Sequence, residues 1–364
     1  MKRRLLIWLS VLSLIVAACG TAAEEGSDDE GTDDTTAEIA AEAGEDGEPA
    51  SGPRDVIRFT FAPDPVWDYI NDTGIKEEME AESGIRIIAQ TTWDEFGIYA
   101  GGFADIVSVG DFEVPTLDAE MGTSSVIFGK YNIDRSVIAV PASDTESQDL
   151  TDLVGQQIAV WDSVSSTLIW GILVKQLHDL DFRTGGGDFE LVQVDITNTG
   201  PEAARENVDG AIVLPDFAVN ELMTGDLRVL YDGQTSAELY ANEIVGDPDY
   251  EGPMINVFLS LEEWYNEHQD EVRFFLEVWE AGIQAWGENQ EEIIASYPQH
   301  FAVETDEQIQ FMQDWLAEHD WFVSTVYIDE EWIEATLPMF DVMRENGFMG
   351  EDEENPIFDS PQNG

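Results

Sequence analysis

From Val56 onward the apolar residues fall in short runs with two different periods. Val56-Ile57-Arg58-Phe59-Thr60-Phe61-Ala62 is a β-branched and aromatic run ended by Pro63 and Pro65, the pattern of a strand leading into a loop. From Trp67 to Glu82 the spacing becomes helical, with Trp67, Ile70, Ile75 and Met79 apolar among acids. Gly74 weakens the middle of that helix, Gly84 closes it, and Ile85-Arg86-Ile87-Ile88-Ala89 reads as a second strand. Strand, helix, strand in this order predicts a parallel sheet with crossover helices. Ala104 to Gly110, Ser125 to Phe128 and Ser136 to Val140 read as further strands, with a helix carrying Pro115 near its start.

A second block repeats the alternation. Leu153 to Trp161 is a turn and buried strand, Asp162-Ser163-Val164-Ser165-Ser166-Thr167 a polar loop, and Leu168 to Leu180 an amphipathic helix. Strands follow at Glu190 to Val194, Gly210 to Leu214 and Leu227 to Tyr231, with a short helix after Pro201. A linker rich in Asp, Glu, Gly and Pro (Gly246 to Pro253) leads to the strand Met254-Ile255-Asn256-Val257-Phe258-Leu259, apolar on both faces. Ser260, with Glu262 and Glu263 behind it, is a good helix start, and helices are expected at 261–289, 305–318 and 329–346. Residues 351–364 read as a frayed tail.

The N-terminus follows other rules. Lys2, Arg3 and Arg4 precede an apolar stretch from Leu5 to Ala18, too short for a comfortable membrane span, and small residues follow, which is the build of a secretory signal over residues 1–18. Val16-Ala17-Ala18-Cys19 resembles the lipobox of bacterial lipoproteins, which implies cleavage before Cys19 and its acylation. Nothing beyond the Arg3-Arg4 pair supports a twin-arginine signal. Cys19 is the only cysteine, so no disulfide contributes to stability. Residues 19–53 hold twelve acids and no Lys or Arg before Arg54; such a segment buries too little to fold, and it reads as an acidic tether.

About 310 residues remain, enough for one bilobed body. The formal net charge is -62, with acids spread over the whole chain. Such a field excludes nucleic acid and anionic membrane surfaces as partners and fits solvation at high salt, where screening acts over a few ångströms. It also favours cationic ligands.

Four segments in order resemble the type II solute-binding proteins of ABC importers, in the group of sulfonate, taurine, nitrate and thiamine-precursor receptors. They are Phe103-Ala104-Asp105-Ile106-Val107, Asp152 to Val160, Val208-Asp209-Gly210-Ala211-Ile212-Val213 with Pro215, and Ile255 to Ser260 before a long helix. Where many members carry Trp-Glu-Pro before the last cleft loop, this chain has Leu214-Pro215-Asp216. The resemblance implies the two-lobed type II periplasmic-binding-protein fold, an α/β architecture in which two mainly parallel sheets flanked by helices are joined by two crossing strands. Lobe one is expected at 55–142 plus 250–350 and lobe two at 143–249. The implied function is a lipid-anchored extracytoplasmic receptor, monomeric and without cofactor, that delivers a small polar organic solute to ABC permease subunits. A tethered sensor uncoupled from transport and an enzyme on the same fold are the alternatives.

In open α/β sheets ligands collect at the carboxyl ends of strands. Candidates there are Asp64, Trp67, Trp93, Ser108, Asp111, Glu113, Trp161, Ser163, Ser165, Ser166, Thr167, Asp216 and, on the returning strand, Asn256. Two ligand classes follow. A sulfonate-like oxyanion would suit the hydroxyls and free N–H groups of the Ser163–Thr167 helix start. A heteroaromatic or ammonium compound would suit Trp67, Trp93 and Trp161 beside a carboxylate. Trp264, Trp279, Trp286, Trp315 and Trp332 lie on helices at apolar spacing and read as core. His178, His268, His300 and His319 lack metal spacing, and no nucleophile elbow, phosphate loop or zinc motif occurs, which leaves catalysis without a carrier.

Overall fold

A glycine decides the first departure from the expected elements. Instead of one helix over 67–82, Thr73 ends a helix and Gly74, at φ 80°, starts another. That left-handed turn is cheap only for a residue without a Cβ. The computed structural model describes residues 55–162 and 164–361, so the signal segment, the tether with Cys19, and Ser163 lie outside the described residues. The chain opens with β1 (Asp55–Phe61), α1 (Pro65–Asp72), α2 (Ile75–Ser83), β2 (Ile85–Thr91), α3 (Glu95–Ala100), β3 (Ile106–Val109), α4 (Val114–Met121) and β4 (Ser125–Ile133). A second set follows: β5 (Val137–Pro141), β6 (Gln157–Val160), α5 (Ser166–His178), β7 (Phe182–Arg183), β8 (Gly186–Gly187), β9 (Glu190–Gln193), α6 (Thr199–Ala204), β10 (Gly210–Val213), α7 (Val219–Thr224), β11 (Leu227–Val229) and α8 (Ser236–Tyr240). The chain then returns through β12 (Met254–Leu261), α9 (Glu262–Glu267), α10 (Gln269–Ser296), α11 (Asp306–Leu316), α12 (Glu330–Glu345) and β13 (Ile357–Phe358).

Two sheets result. The first has the order β13-β4-β12-β3-β1-β2, and the second β11-β5-β10-β6-β9. β1, β2 and β3 are parallel, β12 runs antiparallel to both β3 and β4, and β13 is parallel to β4. In the second sheet β6, β9 and β10 are parallel while β5 opposes β10 and β11. The fold class is therefore mixed α/β with two helix-flanked sheets, and no helix among the described residues is long and apolar enough to cross a membrane.

The core of the first lobe is aromatic. Phe59, Phe61, Trp67, Phe258, Phe275 and Trp279 are all buried, and Trp67 stacks on Trp279 with ring centroids 5.5 Å apart. α10 lies against α1 at Gly282, where a Cβ would stand 2.7 Å from Val66 Cγ1. Trp279, Trp286 and Trp332 are buried as the helical spacing implied, and Trp264 and Trp315 are half-buried against the first lobe's core.

Three boundaries differ from expectation. β5 pairs with β10 and β11, so the first crossing falls at Asp134–Ser136 rather than near Ala142; a strand that enters a sheet antiparallel looks the same in sequence as one that leaves it. The expected 261–289 helix breaks at His268, at φ −125° and ψ 43°, and kinks at Asn289, its expected end, before continuing to Ser296. The tail is not simply frayed, because Ile357 and Phe358 pair with Val126 and Ile127 of β4. α12 also serves both cores: Trp332 packs in the first lobe, Met339, Phe340 and Met343 in the second.

Candidate functional site

The strand directions aim both sheets at the crossing segment. β4 ends at Ile133 and β12 begins at Met254, paired with each other. β5 begins at Val137 opposite the end of β10 at Val213. The carboxyl ends of β1, β3, β6 and β10 thus converge on Asp134–Ser136, and the loops that follow them form the cleft walls.

On the first wall, Asp64 is buried and its Oδ1 accepts from the N–H groups of Val66 and Trp67, capping α1. Burial pushes its carboxyl up to about 6. Asp111 is fully buried; its Oδ1 accepts from Phe112 N–H at 2.8 Å and its Oδ2 from Met254 N–H at 3.4 Å. Burial, with smaller contributions from Glu113 and Asp134, raises it to about 8. Glu113 accepts from Gly110 N–H, and burial raises it too. Glu95, at the start of α3, is pushed to about 7 by burial, with Glu113 and Asp94 adding to the shift. Ser108 Oγ and Tyr131 Oη are hydrogen-bonded at 2.6 Å, below the face-on stack of Tyr131 and Phe258.

On the second wall, Asp162 follows β6 and is raised to about 7 by burial, then by Glu113 and Asp134. The α5 start holds Ser165 at φ 52° with no side-chain cap bond. Its backbone N–H offsets part of the rise that burial gives the Glu113 carboxyl. Thr167 Oγ1 donates to the Asp162 carbonyl at 3.1 Å.

Between the walls, Asp134 is fully buried. Its Oδ1 accepts from Ser136 N–H at 2.9 Å and from Ser166 Oγ at 3.2 Å; its Oδ2 has no partner among the described residues. Arg135 makes a two-pronged ion pair with Asp216, 2.9 Å on each arm, and its guanidinium lies 3.8 Å over the Trp321 ring. Arg135 is the one Lys or Arg in the loops 62–67, 91–95, 108–114, 134–136, 161–167 and 214–217.

The expected site residues therefore divide. Asp64, Ser108, Asp111, Glu113, Ser165, Ser166, Thr167 and Asp216 lie at the converging ends. Trp67 is spent in the first lobe's core, because it sits inside the first turn of α1 and faces Trp279. Trp93 is 67 % exposed and meets Phe217 of the second lobe edge-on at 6.5 Å. Trp161 is half-buried against the second core. Asn256 is a half-buried β12 residue paired opposite Asn132. Sequence reasoning missed Glu95, Asp134 and Arg135. An Asp-Arg-Ser between two strands was a visible signal, but the crossing was placed eight residues later. Among the described residues no three His, Cys, Asp or Glu side chains converge closely enough to hold a metal ion. The histidines have local partners, such as Asp68 for His300 at 2.7 Å and Glu238 for His319 at 2.8 Å.

Two helix-flanked sheets whose strand ends meet where the chain crosses between them are an architecture with many known examples. The chain has the periplasmic-binding-protein fold. The periplasmic aliphatic sulphonate binding protein SsuA of Escherichia coli superposes with a TM-score of 0.63 at 15 % identity, over 82 % of this chain and 90 % of that one. The alkanesulfonate-binding protein SsuA of Xanthomonas axonopodis pv. citri, bound to MOPS, gives 0.62 at 14 %, over 84 % and 98 %. A Candida albicans gene product with the generic periplasmic binding protein fold gives 0.56 at 12 %, over 82 % and 92 %. Residues 126–293 match the family model described as NMT1/THI5 like. No curated protein matches in sequence. The sulfonate-binding proteins among these structures and the NMT1/THI5-like match fall in the receptor group that the sequence motifs resemble.

Proposed function

We propose that the chain is an extracytoplasmic receptor of an ABC importer, which binds a small polar organic solute between its lobes and hands it to a permease. The observation that carries this reading is the convergence of strand ends from both sheets on the buried crossing residues Asp134, Arg135 and Ser136. A solute bound there contacts both walls only when they are close, so binding and closure are one equilibrium. Acylation of Cys19 would tether the receptor to the membrane, and Cys19→Ser would release it; unchanged membrane association of that variant would remove the anchor from the reading.

A mixed solute panel tests the receptor itself, read by melting temperature and small-angle scattering. A bound solute at 100 times its dissociation constant stabilises by about 2.7 kcal/mol and compacts the particle. A panel that produces neither change argues against a receptor. The acidity fits a high-salt medium: the melting temperature should fall as salt is withdrawn and the charges lose their screening. A flat response would detach the acidity from salt.

A further inference from the structure

The two ligand classes left open by the sequence make opposite demands on charge, and the cleft answers with one sign. Asp64, Glu95, Asp111 and Glu113 come from the first wall, Asp162 from the second, and Asp134 from the crossing between them. The one basic residue of these loops, Arg135, is already paired with Asp216 through Nε and Nη2 and lies over Trp321. Only its Nη1 is left without a hydrogen bond among the described residues, so its charge is already paired and one arm remains to offer an oxyanion. The helix start expected to receive an oxyanion also has an anion nearby, since the Ser165 N–H partly offsets the rise that burial gives the Glu113 carboxyl.

Acidic side chains alone do not make a site. The second observation is Asp134 Oδ2, an oxygen of a fully buried carboxylate with no donor among the described residues, although Oδ1 beside it has two. A buried carboxylate oxygen without a partner is costly, and the neighbours of Asp134 at this junction, Asp111, Glu113 and Asp162, are acceptors as well once they are ionised. What is missing is a donor with positive charge. Since no three of these side chains converge closely enough to hold a metal ion among the described residues, the donor must bring its own shape and hydrogen bonds.

We propose that the solute is an organic cation, an ammonium or amidinium compound, whose charged end meets Asp134 Oδ2 between Asp111, Glu113 and Asp162. This rests on the receptor reading and adds the charge class. It also supplies the force that closes the cleft. With no cation, Glu113 on one wall and Asp162 on the other repel and favour separation; a cation between them attracts both and reverses the sign of that force.

The test is a matched screen at constant ionic strength and at a pH above about 8, the value to which burial pushes Asp111. Organic cations (methylammonium, tetramethylammonium, benzyltrimethylammonium, benzamidinium) are compared with methanesulfonate and benzenesulfonate, and with sodium chloride as a control for condensation on an acidic surface. The expected result is that at least one organic cation raises the melting temperature and reduces the radius of gyration while the sulfonates do neither. Asp134→Asn, which can keep the two bonds to Oδ1, should weaken that binding by roughly tenfold or more, whereas the exposed Glu78→Gln should not. Glu113→Gln is the second variant should the first fail to fold, with the same expectation. Sulfonates that bind while cations do not overturn the charge class and leave the receptor standing. Silence from every compound counts against both. Cation binding indifferent to Asp134→Asn and Glu113→Gln, or matched by sodium, overturns the assignment to this site.

Discussion

The aromatic core of the first lobe and the carboxylate junction at the crossing are both buried, yet burial acts on them in opposite directions. Around Trp279 it joins Phe59, Phe61, Trp67, Tyr131 and Phe258 with centroids 4.7–6.1 Å away, so area removed from water and edge-to-face contacts add. The unpartnered Trp279 Nε1 is a small cost against that packing. At the junction, burial raises Asp64, Glu95, Asp111, Glu113 and Asp162 because the charged form loses its water. One region stabilises the lobe; the other costs stability that a bound partner can return.

The largest effects should come from the core. Trp279→Ala should lower stability by about 3–5 kcal/mol in a denaturation curve. Trp67→Ala should be of the same size, and the two should fall short of additivity because the rings touch. Losses below about 1 kcal/mol would mean that Trp67 belongs to the cleft after all. Next comes the satisfied ion pair. Asp216→Ala leaves the Arg135 guanidinium buried and unpaired, which should cost about 3–5 kcal/mol, while replacing both residues by apolar ones of similar volume should cost much less. Equal losses in the single and double variants would show that Asp216 acts by packing alone.

Strand and helix order was legible because β1, β2, β6, β10 and β12 are short apolar runs bounded by Pro, Gly or acids. The lobe assignments were less so. Nothing in Val137–Pro141 says which sheet it joins, and the pairing of β5 with β10 depends on residues more than seventy positions away. At the site, residues next to strand ends were legible and orientation was not. Trp67 and Trp93 each follow a strand by a few residues, but α1 turns Trp67 into the core, while Trp93, in the loop after β2, stays exposed. The Asp-Arg-Ser was visible, but the burial of Asp134 was not, since it depends on Ser166 and Ser236 arriving from two distant places.

Acidity gives the next prediction. Asp64, Glu95, Asp111 and Asp162 titrate at about 6, 7, 8 and 7, all above the unfolded range near 4. The folded protein therefore holds more protons than the unfolded chain between those limits. Their contribution is fully present below about pH 4 and is lost as pH rises through 6 to 8. The charged groups facing them are carboxylates, Glu113 and Asp134 for Asp111 and Asp162, Glu113 and Asp94 for Glu95, and Asp68 for Asp64, where His300 opposes the rise. Asp144 and Glu238 are lowered instead, so their losses fall at the acid end, outside this window. At constant salt the unliganded melting temperature should decline from about pH 5 to 9, and Asp111→Asn should flatten that decline. A melting temperature that climbs over the same interval would contradict the burial of these carboxylates.

The smallest effect sharpens the contrast most. Trp93 is 67 % exposed, and its one aromatic contact reaches Phe217, in the opposite lobe. Removing the ring takes little from either lobe's core, so Trp93→Ala should change the stability of the unliganded protein by no more than about 0.5 kcal/mol. The contact exists only when the walls are close, and an edge-to-face pair is worth about 0.5–1.5 kcal/mol. That difference should appear as a several-fold weaker solute affinity in the variant, and Phe217→Ala should reproduce it. The double variant should lose no more than either single one, because each removes the same contact. Independent losses from the two residues would mean that Trp93 touches the solute itself, which would restore it to the stacking role the sequence suggested.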